Sequence, residues 1–193
     1  MKIFDKVLGQ NALQSLQKEI VHSTAFPWYK TLTTYDSKES NSINDYSWFH
    51  LVSKEGEVVS QVYSLLYPML LCAFDNVNEP VKDFIRLRLA LQTPIGQQFV
   101  NDAHTDYGFE HKTALLYLNS CDGNTIIYNE VYDHKSQISP LDYLNNNLKN
   151  NLTVLSEVEP VENRLVLFNG LRYHSSQRPI NFPYRIILNI NYN

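Results

Sequence analysis

At Phe84 the spacing of apolar residues changes from the 3.6-residue period of a helix to the two-residue period of a strand. Upstream, Leu13, Leu16, Ile20 and Val21 recur at helical spacing and predict a helix over 9–23, which Pro27 terminates. Val58, Val62, Leu65, Leu66, Met69 and Leu70 predict a second helix over 57–74, with a kink or an early stop at Pro68. Downstream, Leu87, Leu89 and Leu91 alternate with Arg88 and Ala90, and strand-like runs follow at 113–119, 125–129, 153–158, 164–168 and 185–191. Helices followed by strands predict an α+β, mainly β chain in which N-terminal helices brace one face of an antiparallel sheet. Several short strands separated by turn residues suit a double-stranded β-helix, the cupin-like jelly roll. The expected organisation is a single domain over 1–193, with a helical support region at 1–83 and a jelly-roll core at 84–193.

Composition narrows the function classes. A chain of 193 residues can bury one sizeable core. A net charge of −4 argues against general nucleic-acid binding. Two cysteines, Cys72 and Cys121, supply neither a disulfide framework nor a zinc motif, and the natural expectation is a reducing cytoplasm. Lys2, Asp5 and Lys6 interrupt the N-terminal apolar run, so no signal peptide is expected. No apolar stretch approaches about 18 residues, so no membrane span is expected either. Residues 31–44 read as strand plus loop. Residues 132–151 form a polar, Asn-rich insertion with a short helix around 141–148. Neither segment shows the apolar periodicity that would tie it down, and both are expected to border a binding mouth as mobile covers.

The chemistry concentrates in His104-Thr105-Asp106. Side chains two apart on an extended chain share a face, so an imidazole and a carboxylate point the same way. His174, 70 positions later, can complete a 2-His-1-carboxylate set, which leaves one face of a metal open, as non-haem Fe(II) oxygenases require. Read alone, His-x-Asp is more often a solvated surface turn. Arg185 opens the last apolar run, where a guanidinium needs a partner. Glu159 or Glu162 would be a structural partner; a dicarboxylate ligand would be a functional one, since guanidinium and carboxylate match as a bidentate fork. Asn189 and Asn191 share the face of Arg185, and inward asparagines imply a wet or ligand-filled pocket.

Together these residues resemble the Fe(II)- and 2-oxoglutarate-dependent dioxygenases, in the prolyl-hydroxylase-like branch, from about residue 86 to the C-terminus. The resemblance implies that His104, Asp106 and His174 hold Fe(II). It implies that Arg185 and Tyr117 bind the distal carboxylate of 2-oxoglutarate, with Leu115, Thr125, Asn189 and Gln92 around the same cosubstrate. Residues 122–125 stand where the family often carries Gly-Gly-Glu-Thr, and only Gly123 and Thr125 agree. The implied activity is hydroxylation with O2, releasing succinate and CO2, on a peptide or small-molecule substrate, a prolyl residue being the first guess. Two rivals stay open: a cupin-type metalloprotein of non-oxidative function, and a jelly-roll binding module without turnover. His22, His50, His111 and His134 show no ligand spacing and are expected at the surface or in loops. Trp28 and Trp48 are expected to pack in the helical layer, with 48–50 as an alternative lining of the substrate mouth.

Overall fold

The computed structural model describes residues 1–31, 46–148 and 151–193. Most of the 31–44 segment therefore lies outside the described residues. The strands are β1 (Lys2–Asp5), β2 (Tyr29–Thr31), β3 (Ser47–Lys54), β4 (Glu57–Val58), β5 (Phe84–Gln92), β6 (Lys112–Tyr117), β7 (Thr125–Val131), β8 (Val154–Val158), β9 (Arg164–Asn169), β10 (Arg172–Ser176) and β11 (Arg185–Tyr192). The α-helices are α1 (Gln10–Leu16), α2 (Tyr63–Asn76) and α3 (Pro140–Tyr143); π turns at Gln17–Val21 and Leu144–Leu148 extend α1 and α3. A major sheet runs in the order β1-β9-β6-β11-β5-β3-β2, with β4 paired to β3. A minor sheet runs β10-β7-β8. Among the described residues all strand pairings are antiparallel, and the two sheets do not close into a barrel.

Strand alternation divides the major sheet into two faces. Leu87, Leu89, Ala114, Leu116, Leu165, Leu167, Ile186, Leu188 and Ile190 join Leu13, Leu16, Ile20, Leu66, Leu70, Ala73 and Phe74 of the helices in one apolar core. The helices thus brace one sheet, as the sequence predicts. The opposite face holds a smaller cluster of Ala90, Leu115, Tyr117, Val166, Phe168 and Ile187, closed by Ile127 and Val158 of the minor sheet. Phe49 packs against this cluster, and Arg86, Arg88, Gln92, Thr113, Asn189 and Asn191 take other positions on the same face.

Several boundaries differ from expectation. The second helix begins at Tyr63 rather than at 57, because Glu55 and Gly56, at φ +52° and +84°, turn the chain so that Glu57 and Val58 pair back onto β3. Pro68 lies inside α2 and does not end it. Within the first 83 residues, β1 pairs with β9 and β3 pairs with β5, so this region contributes strands as well as helices. The 132–148 segment is anchored. Tyr132 donates its hydroxyl to the Ile138 carbonyl and Tyr173 donates to the Pro140 carbonyl, both at 2.7 Å. Tyr143, Leu144, Leu148 and Leu152 pack on the cluster of Tyr132, Leu171 and Tyr173. These anchors lack helical or strand spacing, which is why periodicity alone does not reveal them. His50 is buried on β3, contrary to the expectation of a surface or loop position, whereas His111 lies in the loop before β6, as expected, but is buried there. His50 bridges the Pro27 carbonyl and Ser60, while His111 bonds the Phe109 carbonyl among aromatic rings.

Candidate metal and oxoacid site

His104 and His174 face each other across a short antiparallel bridge. Each backbone N–H donates to the other's carbonyl, at 3.0 and 2.9 Å, and the ring centroids lie 4.6 Å apart. His174 sits on β10, a strand that the sequence reading does not separate from the turn before it. The Nδ1 atoms of His104 and His174 each lie 3.1 Å from a backbone carbonyl two residues back, of Asp102 and Arg172. A carbonyl only accepts, so in the neutral form of either ring the proton sits on Nδ1 and Nε2 carries the lone pair. Burial, followed by the charge of the neighbouring His174, pushes His104 down to about 3, so this ring is neutral at physiological pH.

Asp106 completes the cluster. Its Oδ2 lies 3.9 Å from His174 Nε2, and the ligand atoms of His104, Asp106 and His174 all fall within 4.8 Å of one another. Burial opposes ionisation of Asp106, yet the Arg86 charge, backed by His174 and Arg88, holds its carboxyl well below the usual carboxylate range. Two imidazole lone pairs and a carboxylate oxygen therefore converge on one point. Such a donor set fits a divalent transition ion with open coordination positions.

A cavity between the sheets is lined by His104 and His174, and also by Ser47, Phe49, Arg88, Gln92, Leu115, Thr125, Ser176, Arg185 and Asn189. Arg185 is 2% exposed, and among the described residues its hydrogen bonds to Gly123, Gln92 and Thr125 all end on neutral oxygens. Nε donates to the Gly123 carbonyl at 2.8 Å, Nη2 to Thr125 Oγ1 at 2.6 Å and Nη1 to Gln92 Oε1 at 3.4 Å. Glu162, a structural partner considered above, instead accepts from Gln17. A buried guanidinium held only by neutral acceptors fits a carboxylate guest.

Of the remaining expected residues, Leu115, Thr125, Gln92 and Asn189 line this cavity. Tyr117 is fully buried behind it, and its hydroxyl lies 2.7 Å from Thr125 Oγ1, the atom that accepts from Arg185. Gln92 also donates to Ser176 Oγ at 2.9 Å. Asn189 gives its amide to Asp106 Oδ2 at 3.1 Å, and its Oδ1 meets no hydrogen-bond partner among the described residues. Gly123 is required where it stands: an added Cβ would come within 2.6 Å of the Gln177 carbonyl. Phe49 lines the cavity from β3, whereas His50 points to the other face. The sequence reading missed Arg86, Arg88, Ser47 and Ser176. The signal for the first two was present, since Arg86 and Arg88 alternate with leucines on the same strand.

No family model matches the sequence, and no curated protein matches it. Solved structures do. A prolyl-4-hydroxylase from Pseudomonas putida aligns with a TM-score of 0.60 at 16% identity, covering 100% of this chain and 91% of that one. A prolyl hydroxylase from Trichoplax adhaerens, in complex with a hypoxia inducible factor oxygen degradation domain peptide fragment, aligns at 0.63 and 15%, covering 99% and 82%. HygX from Streptomyces hygroscopicus, solved with nickel, 2-oxoglutarate and hygromycin B, aligns at 0.59 and 15%, covering 99% and 81%. The chain therefore has the jelly-roll fold of the prolyl hydroxylases and other 2-oxoglutarate/Fe(II) oxygenases.

Proposed function

We propose that this protein is an Fe(II)- and 2-oxoglutarate-dependent dioxygenase that hydroxylates a peptide or small-molecule substrate. One observation carries the reading: a single cavity is lined both by the two histidines of the His104–Asp106–His174 cluster and by Arg185, a buried cation without an anionic partner among its hydrogen bonds. His104 Nε2, His174 Nε2 and an oxygen of Asp106 would hold the metal. Arg185 would take the distal carboxylate of 2-oxoglutarate, with Thr125 and Tyr117 fixing the guanidinium and Gln92, Leu115 and Asn189 bounding the oxoacid. When bound, iron and 2-oxoglutarate together supply the oxidising power by which O2 is reduced, succinate and CO2 are released and a substrate C–H bond is hydroxylated.

The chain's own residues bind, orient and exclude water. Leu115, Ile187 and Phe49 give the cavity apolar walls, and Arg185 fixes which end of a dicarboxylate enters first. The likeness to peptide-bound and antibiotic-bound structures leaves both substrate classes in view, and a prolyl residue is the first to test. No helix among the described residues is long and apolar enough to cross a membrane. Two cysteines without a disulfide, Cys121 buried and Cys72 exposed, support a reducing compartment such as the cytoplasm. The decisive experiment measures succinate formed from 2-oxoglutarate with Fe(II) and O2, alone and against a panel of prolyl peptides, amino acids and aminoglycosides. Absence of succinate under every condition, from protein that binds Fe(II), would return the chain to the non-oxidative cupins or the binding modules.

A further inference from the structure

The Asp106 carboxylate is already engaged at both oxygens. Arg86 Nη2 donates to Oδ1 at 2.6 Å. Asn191 donates to Oδ2 at 2.9 Å, and Asn189 to the same oxygen at 3.1 Å. Arg86 is itself fixed: its Nε donates to Asn191 Oδ1 at 3.0 Å, and Asn191 is Arg86's partner in the β5–β11 register. The Asp106 side chain is 1% exposed and that of Arg86 is 9% exposed, so this is a buried ion pair rather than a surface one. Oδ2, the oxygen nearer His174, receives the Asn189 and Asn191 amides, while Oδ1 meets the Arg86 guanidinium directly and lies 3.9 Å from Arg88 Nη2, a second and more distant cation that stays in place when Arg86 is changed.

We infer that Arg86 acts on Asp106 through its charge, as a resident cation, so that a divalent ion must share this carboxylate with it. The inference rests on the proposed metal centre. Two cations on the two oxygens of one carboxylate repel each other, and the interior screens that repulsion poorly. The charge of Arg86 therefore weakens the site for a bare divalent ion. It favours the same ion when a dianionic 2-oxoacid brings compensating negative charge. It also leaves the metal-free protein with no uncompensated carboxylate at this point.

Mn(II) titration followed by electron paramagnetic resonance, with and without 2-oxoglutarate, tests this in the intact chain. Arg86→Gln keeps a hydrogen-bond donor and removes the charge; it should bind Mn(II) about tenfold more tightly than wild type without oxoacid. The enhancement of Mn(II) affinity by 2-oxoglutarate should shrink in the same variant. Arg86→Lys keeps the charge and should stay within about threefold of wild type. An Arg86→Gln variant that folds but binds Mn(II) equally or less tightly would overturn the inference, because orientation alone gives that sign. If Arg86→Gln does not fold, Arg86→Met removes the same charge from a side chain of similar length and should also tighten Mn(II) about tenfold; equal or weaker binding overturns the inference there too. Wild-type protein that binds no Mn(II) would sink the metal centre itself, an outcome distinct from a wild type that binds and variants that do not change.

Discussion

One strand shows two solutions to burial. On β11, Ile186, Leu188, Ile190 and Tyr192 face the helices, while Arg185, Ile187, Asn189 and Asn191 face the minor sheet. All eight residues are buried. The helix-facing side relies on apolar area, roughly 25 cal/mol per Å2, without directional requirements. The other side buries a guanidinium and two amides, which is costly unless each finds a partner of fixed geometry. Arg185 finds Gly123, Thr125 and Gln92; Asn189 and Asn191 find Asp106. The first face makes the fold stable, and the second restricts what can be placed inside it.

The sharpest way to break this division is at the histidines. His104→Ala or His174→Ala should abolish Fe(II) or Mn(II) binding in anaerobic titration while leaving the fold intact, since each removes one converging lone pair. Wild-type-like affinity in both variants would mean that the inner face is not a metal site.

A change on the helix-facing side should do the reverse. Leu188→Ala should cost about 2–5 kcal/mol of stability by leaving a cavity in the core, measured by denaturant unfolding. Its folded fraction should bind metal as wild type does. Loss of metal affinity at full folding would show that the two faces are coupled.

Arg185→Leu should raise the 2-oxoglutarate requirement at least about tenfold while Mn(II) stays bound. Losing a charge-assisted pair costs about 1.5–3 kcal/mol, and about 1.4 kcal/mol is already tenfold. If this variant unfolds with its oxoacid affinity unchanged, the arginine belongs to the structural face. Tyr117→Phe should have a smaller effect of the same kind, about 1 kcal/mol or less, because it deletes a neutral hydroxyl and leaves the Thr125 and Gly123 contacts of the guanidinium in place.

The smallest expected effect lies at the rim of the helix-facing core, where Glu79 accepts from Lys2 and Lys112. Burial raises its pKa, but the two lysines outweigh burial and hold the carboxyl below its ordinary value of 4.5. A carboxyl depressed in the folded state contributes stability above its unfolded pKa and loses it as pH falls through the folded pKa. Glu79→Gln should therefore destabilise the protein at pH 7, by under about 1 kcal/mol in denaturant unfolding, because both lysines are half exposed. The difference should fade as pH drops below 4.5. A pH-independent difference would assign the effect to packing.

The apolar positions were legible because burial against helices leaves a period in the chain. The alternation of Leu87, Leu89 and Leu91, and that of Ile186, Leu188 and Ile190, gave both strands and their core faces. That His104, Asp106 and His174 would cluster, with Arg185 on the same cavity as the two histidines, was legible from the family resemblance of their order and flanking strands, and not from His-x-Asp alone. The anchored 132–148 segment was not legible, since Tyr132, Tyr143 and Leu148 meet Tyr173 without any regular spacing. Nor was β10, a five-residue strand directly after a turn.

The sequence by itself determined which residues of β5 and β11 point inward, because side chains on a strand alternate with period two. Only the tertiary structure decided what those inward residues meet. Arg86 and Asn191 are 105 positions apart and become partners through the register of two neighbouring strands, and Asp106 reaches them from a loop. Strand order and register are set by contacts summed over the whole sheet, and no local pattern encodes them.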